Sequence, residues 1–229
     1  MKTLICIPCM DMVHTEFMKS ILGMRRVGET KITISCSSLI YDARNHMARR
    51  AVDEGFDRLL WLDSDMSFEP DLMERLSARL DEGRDFVSGL YFTRKAPVRP
   101  VVYQECGYYQ KDDGAAFPVA VWYDDYPRDT IFEVAATGFG GVMMTTECVK
   151  KVADKFGLPF APMLGFGEDL SFCGRATQAG VKMWVDSTIK LGQVGQGTIT
   201  EEVYLQQKGE NHDDTGSGED STADNNQLI

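Results

Sequence analysis

Leu59-Leu-Trp-Leu-Asp-Ser-Asp65 decides the reading of this chain. Arg58–Leu62 is a short apolar run of strand length, and it ends abruptly in two carboxylates one residue apart. In open α/β sheets, ligands bind beyond the carboxyl ends of strands, where loops point polar groups at them. Alternate residues of an extended chain face the same way. Asp63 and Asp65 could therefore approach one hard cation together, or one could hold a metal while the other holds a ribose hydroxyl. A divalent ion there would bind a diphosphate and offset its charge as a leaving group. A plain surface turn is the alternative, because Asp-Ser-Asp is common in loops.

Upstream, Leu4–Ile7 is an apolar run ended by Pro8, and Val13, Phe17, Ile21 and Met24 follow at helical spacing. Lys31–Cys36 alternates as a half-buried strand, and the helix expected over Asp42–Glu54 is stopped by Gly55. Downstream of the two aspartates, Pro70–Glu82 reads as a helix with Pro in its first turn. Three strand-helix repeats within about 80 residues predict a parallel sheet with helices on its faces. After Phe86–Leu90 the rhythm breaks into short strands, loops and the aromatics Tyr103, Tyr108, Tyr109, Trp122, Tyr123 and Tyr126. Those aromatics are either core or platforms for a sugar or base. Thr137-Gly-Phe-Gly-Gly141 precedes apolar Val142–Met144, Gly165-Phe-Gly-Glu-Asp169 opens a helix to about Ala179, and Val181–Val185 and Ile189–Leu191 read as closing strands.

The 229 residues are 43% hydrophobic and 26% charged, which excludes a disordered, fibrous or collagen-like chain and suits one large domain. Net charge is -11, but the last 21 residues carry six acids and no Lys or Arg, so the tail holds about half of it. A body that is still net negative argues against non-specific binding to nucleic acid or anionic lipid, although a local basic patch is compatible with it. No apolar stretch is long enough to span a bilayer and no signal-peptide core precedes the first strand, so a cytoplasmic protein is expected. Cys6, Cys9, Cys36, Cys106, Cys148 and Cys173 show no disulfide framework. Cys6-Ile-Pro-Cys9 has redox or zinc-knuckle spacing without a second ligand pair. From about residue 206 the chain is acidic and poor in apolar residues, and disorder is expected over 206–229.

Leu62-Asp-Ser-Asp-Met66, Gly138-Phe-Gly-Gly-Val142, Gly167-Glu-Asp-Leu-Ser-Phe-Cys173 and Ala179-Gly-Val-Lys-Met-Trp-Val-Asp186, in that order, resemble the nucleotide-sugar-dependent glycosyltransferases of the GT-A fold, the family-2-like group most of all. The resemblance covers roughly Thr3 to Gly197. It implies one GT-A domain over 1–205: a Rossmann-like α/β unit with a mainly parallel sheet and a smaller mixed sheet on the acceptor side. It also implies an inverting sugar transfer from a nucleoside-diphosphate sugar, UDP- or GDP-linked, to an acceptor hydroxyl, assisted by Mn²⁺ or Mg²⁺.

Residue by residue, the resemblance makes Asp65 the metal ligand and Asp63 a ribose or metal contact. Asp169 is the general base, with Glu168 as acceptor ligand or substitute base. A hydroxyl is a poor nucleophile until a positioned base takes its proton, which agrees with that role; helix capping is the alternative for the two acids. Asp11, in the loop after the first strand, and Asp42 and Arg44, in Tyr41-Asp-Ala-Arg-Asn45, are candidate donor contacts. Gly138, Gly140 and Gly141 form a turn that a sugar could approach closely. Where many relatives place a metal-binding His, this chain has Gln193 in Leu191-Gly-Gln-Val-Gly195, a weaker ligand for Mn²⁺. Two other classes stay open: a nucleotidyltransferase, although Pro8-Cys-Met-Asp-Met12 lacks a Gly-rich basic loop, and a non-catalytic nucleotide-sugar-binding module.

Overall fold

A computed structural model describes residues 1–110, 116–195 and 198–213. In chain order the elements are β1 (Lys2–Cys9), α1 (Thr15–Gly23), β2 (Glu29–Cys36), α2 (Ile40–Asp53), β3 (Arg58–Leu62), β4 (Met66–Phe68), α3 (Leu72–Asp81) and β5 (Phe86–Leu90). Then follow β6 (Val102–Gln110), β7 (Ala116–Trp122), β8 (Ile131–Val134), β9 (Ala136–Thr137), β10 (Gly141–Thr145), α4 (Thr146–Phe156), α5 (Glu168–Gln178), β11 (Met183–Val194), β12 (Thr198–Ile199) and α6 (Glu201–Asp213).

The main sheet runs β12-β11-β5-β10-β3-β1-β2, with β4 and β8 also paired to β11. β2, β1 and β3 are parallel, as the repeats predict. β10 is not: it inserts antiparallel between β3 and β5, so the sheet is mixed. Side chains of β1 and β3 alternate between two buried layers. Leu4, Cys6, Leu59 and Trp61 pack in one layer, with residues of α2, α4 and α5. Ile5, Ile7, Leu60 and Leu62 pack in the other, with residues of α1 and α3. Burial on both faces is why these strands read as continuous apolar runs rather than alternating ones. The second sheet, β7-β6-β9, is antiparallel throughout rather than mixed, because its core is the β6–β7 hairpin.

The two expected closing strands are one strand, β11. In the polar break between them, Asp186-Ser-Thr188, Asp186 and Ser187 are buried and hydrogen-bonded and Thr188 is half-buried. Asp186 accepts from the Thr188 amide at 2.9 Å and from Arg79 Nε at 2.7 Å, and Ser187 Oγ donates to Pro127 O at 2.8 Å. These contacts hold the Asp186 carboxyl below its usual range, although burial opposes them. The expected boundary at 205 also moves. α6 continues to Asp213, anchored where Tyr204 stacks on Phe92 at 4.8 Å and donates to Asp124 O, and where Lys208 pairs with Asp125 at 2.7 Å. The remainder of the acidic tail, 214–229, lies outside the described residues. Among the described residues no helix is long and apolar enough to cross a membrane.

Because Tyr204 is the buried anchor of α6, Tyr204→Ala is expected to lower stability by about 3 kcal/mol, read as a shift in the urea midpoint at unchanged slope.

Candidate functional site

The chain leaves β1 toward β2 on one side and returns to β3 on the other, so the carboxyl ends of β1 and β3 flank a switch point in strand order. Such crevices are where open α/β sheets bind ligands. Asp63 follows β3 directly and the Asp11 loop follows β1. The two are tied together where the His14 amide donates to Ser64 O at 3.0 Å. Asp63 is fixed from two directions. Its amide donates to Gly140 O at 3.4 Å, and its Oδ1 accepts from Arg44 Nη2 at 2.7 Å. Arg44 Nε donates in turn to Glu168 Oε1 at 3.1 Å. α2, the end of β3 and the start of α5 thus meet on one guanidinium, which is 1% exposed and lies 5.4 Å from the Trp61 ring and 5.3 Å from the Phe139 ring. Burial works against the charge of Arg44, but Asp63 and Glu168 outweigh it and hold its pKa above the ordinary value.

Asp169 lies beside this cluster. Its Oδ1 accepts from the Leu170 amide at 2.7 Å. Burial first, and then the neighbouring charge of Glu168, push its carboxyl up to about 6, with Arg44 pulling the other way. One guanidinium faces three carboxylates, Asp63, Glu168 and Asp169. Asp65 forms a second cluster nearer to solvent. Its Oδ2 accepts from Arg94 Nη1 at 2.6 Å and from Gln193 Nε2 at 3.2 Å, and its carbonyl accepts from the Val194 amide at 2.7 Å. Burial and the charge of Asp63 raise the Asp65 carboxyl above its usual value.

Asp63, Asp169 and Gln193 share an open cleft of about 660 Å³ with Tyr91, Trp122 and the basic residues Arg94, Lys95 and Arg99. The sequence signal for these three cations was local: three basic residues within seven, in Thr93-Arg-Lys-Ala-Pro-Val-Arg99, directly after β5. Of the aromatics, Trp122 lines the cleft, its ring tilted against Tyr103 at 4.5 Å, whereas Tyr123 and Tyr126 pack against Phe132.

Several expected roles change. Arg44 is buried and committed to Asp63 and Glu168, so it organises the site from below rather than reaching out to a diphosphate. Asp42 faces a different cleft, between α2 and α4, and does not join the cluster. Asp11 is exposed, does not line the cleft, and has no side-chain partner among the described contacts. The glycine turn is closed to a sugar. A Cβ on Gly138 would lie 2.0 Å from Tyr91 Oη, one on Gly140 2.9 Å from Met66 Sδ, and one on Gly141 2.5 Å from Leu191 Cδ2. These glycines let strands and side chains close beneath Asp63. Cys6 and Cys9 point to opposite faces of β1, as residues three apart in a strand must, and make no ligand pair.

The donor set does not complete a resident metal site. Asp63 and Asp65 are each held by an arginine, Gln193 presents its amide nitrogen to Asp65, and no group of three His, Cys, Asp or Glu side chains converges among the described residues. The positive charge bordering the cleft comes instead from Arg94, Lys95 and Arg99.

No family model matches the chain and no curated protein matches its sequence. Among solved structures, the crystal structure of A197 from STIV is similar, with a TM-score of 0.60 and 20% sequence identity over 85% of this chain and 86% of that one. At that identity the likeness shows the fold alone, a mixed α/β architecture.

Replacing Arg44 with Met leaves Asp63 and Glu168 facing each other without a cation. The expected loss is about 3–5 kcal/mol by urea unfolding, whereas Arg94→Ala, an exposed pair, changes stability by less than about 1 kcal/mol. Asp169 titrates near 6 in the folded protein against about 3.9 unfolded. Between those values the folded state binds the extra proton, so its contribution to stability is present at low pH and is lost as pH rises through 6. A carboxyl ¹³C titration of Asp169 should show a midpoint near 6, and Asp169→Asn should flatten the fall in stability between pH 4 and 7.

Proposed function

We propose that this chain is an inverting glycosyltransferase of the GT-A type, moving a sugar from a nucleoside-diphosphate sugar to an acceptor hydroxyl. The observation that carries the reading is the placement of Asp169, a carboxyl pushed up to about 6, in one cleft with Asp63 and across from Arg94, Lys95 and Arg99. A base whose pKa lies just below neutrality is ionised at neutral pH yet basic enough to take a hydroxyl proton in the transition state. The cations are suited to a diphosphate, whose charge grows as the glycosidic bond breaks.

In this reading the acceptor oxygen approaches the anomeric carbon from the Asp169 side. Asp169 takes its proton while the bond to the diphosphate oxygen opens on the opposite face. Arg94 releases Asp65 and turns to the leaving group, with Lys95 and Arg99 beside it. Asp63, fixed by Arg44 and by Gly140 O, is placed for a ribose hydroxyl at the switch point. Trp122 offers a ring face to a sugar or base. The order of the Asp-Ser-Asp, Gly-rich and Glu-Asp motifs and the mixed α/β sheet support the same reading.

The test is a screen of UDP-, GDP-, CDP- and TDP-sugars, scoring donor binding by calorimetry and nucleoside-diphosphate release by coupled assay. Asp169→Asn should retain donor binding and lose about 10²–10⁴-fold in turnover, and the wild-type rate should rise with pH to a plateau above about 6. Donor binding without release of nucleoside diphosphate under any condition would leave a non-catalytic binding module. Release of pyrophosphate from a nucleoside triphosphate would point to a nucleotidyltransferase.

A further inference from the structure

Cys9 and Cys36 are the last residues of β1 and β2 and are direct partners in the parallel register of the two strands. Their Sγ atoms lie 3.3 Å apart. Neighbouring strands run about 4.8 Å apart, inside the Cα separation of roughly 4.4–6.8 Å that a disulfide accepts. Bond formation then needs the sulfurs to approach by about 1.3 Å, to roughly 2.05 Å. The backbone frame is already closed around them, since the Ser37 amide donates to Cys9 O at 3.0 Å. The other thiols offer no such pairing: Cys6, Cys148 and Cys173 are buried, and Cys106 is directed at Leu170 O.

The pair is also asymmetric. Cys36 is exposed at the end of β2, open to a small disulfide from solvent. Cys9 sits behind it, where burial and its hydrogen bond with Cys36 push its thiol up to about 11. Access assigns the first attack to the outer cysteine and the second to the inner one.

We propose that Cys9 and Cys36 are a thiol-disulfide modification site, closed by reaction with a low-molecular-weight disulfide of the glutathione class. The Cys36 thiolate attacks one sulfur of the reagent, whose S–S bond breaks. A mixed disulfide forms and one thiolate leaves. Cys9 gives up its proton to solvent and its sulfur attacks the Cys36 sulfur, expelling the second thiolate. Two protein thiols are oxidised by two electrons, the reagent is reduced to two thiols, and both protons are accounted for in those products. The bond joins the loops that follow β1 and β2 at the carboxyl edge of the sheet. It stands independently of the sugar-transfer reading.

The experiment treats the native full-length chain with oxidised glutathione at pH 8.5, quenches by alkylation and maps the peptides. The expected product is about 2 Da lighter than the reduced chain, its free-thiol titre has fallen by two, and the peptides containing Cys9 and Cys36 are cross-linked until dithiothreitol is added. Its melting temperature should be raised by roughly 5–10 °C, as closing a loop of this length in the unfolded chain implies. Cys9→Ser should stop at the Cys36 mixed disulfide, and Cys106→Ser should react like the wild type. An unchanged thiol titre, a persistent mixed disulfide on Cys36 in the wild type, or a cross-link through any other cysteine would overturn the proposal.

Discussion

A buried guanidinium cannot stand alone, and the site follows from how the charge of Arg44 is compensated. Taking an arginine out of water costs several kcal/mol unless carboxylates and hydrogen bonds surround it. Here the counter-charges come from the end of β3 and, 124 residues later in the chain, from the first turn of α5. The rings of Trp61 and Phe139 exclude water from the guanidinium, and Phe160 and Phe172 pack around Phe139. That apolar cover strengthens the attraction between the ions, because fewer waters screen them. It also sets the ionisation beside them. Burial first, and then the field of Glu168, keep the proton on Asp169 above the usual carboxylate range, although Arg44 pulls the other way.

Around this rigid tie sits a more exposed ring of charge. The Arg94–Asp65 pair is open to water on the arginine side, and the segment that carries it is folded back on itself. The Thr93 amide donates to Arg99 O, and Thr93 Oγ1 accepts from the Arg99 amide. The turn presents Arg94 and Lys95 toward the cleft. A net-negative chain can thus offer a positive rim. Many of its acids are paired internally, and a large share of the surplus belongs to the last 21 residues of the sequence. Under the proposed reading, exchange of Asp65 for a phosphate as the partner of Arg94 costs little, because a pair with one exposed member is only weakly stabilising to begin with.

The strand-helix repeats up to β5 were legible because buried parallel strands and amphipathic helices write strong periodic patterns. The Asp63 and Asp169 positions were legible because each interrupts such a pattern at a strand end or a helix start. What was not legible depended on partners distant in sequence. Asp186-Ser-Thr188 reads as a break, yet Arg79 and the carbonyls of residues 127 and 130 satisfy it within β11. α4 carries apolar Val149 and Val152 at helical spacing, but it begins without a turn after β10, so strand and helix merge into one apolar run. α6 is almost without amphipathic character, and its docking rests on Tyr204 more than on any stripe. Arg44 read as a candidate donor contact because nothing local announces that Trp61 and Phe139 will close over it.

The glycine turn completes the logic from the backbone side. β10 enters antiparallel between β3 and β5, which brings Gly140 O to the Asp63 amide and the Gly140 amide to Tyr91 Oη at 3.2 Å. That approach leaves no room for a side chain at residues 138, 140 or 141, so glycine there is demanded by protein packing and not by a ligand. Asp63 is then determined twice, in its main chain by Gly140 and in its carboxylate by Arg44. A group held so firmly can position a ligand but adapts poorly to different ones. Under the proposed reading, discrimination between donors or acceptors falls to the other side of the cleft: Trp122, the 93–99 turn and Gln193. The identity of the ligand is therefore to be sought there.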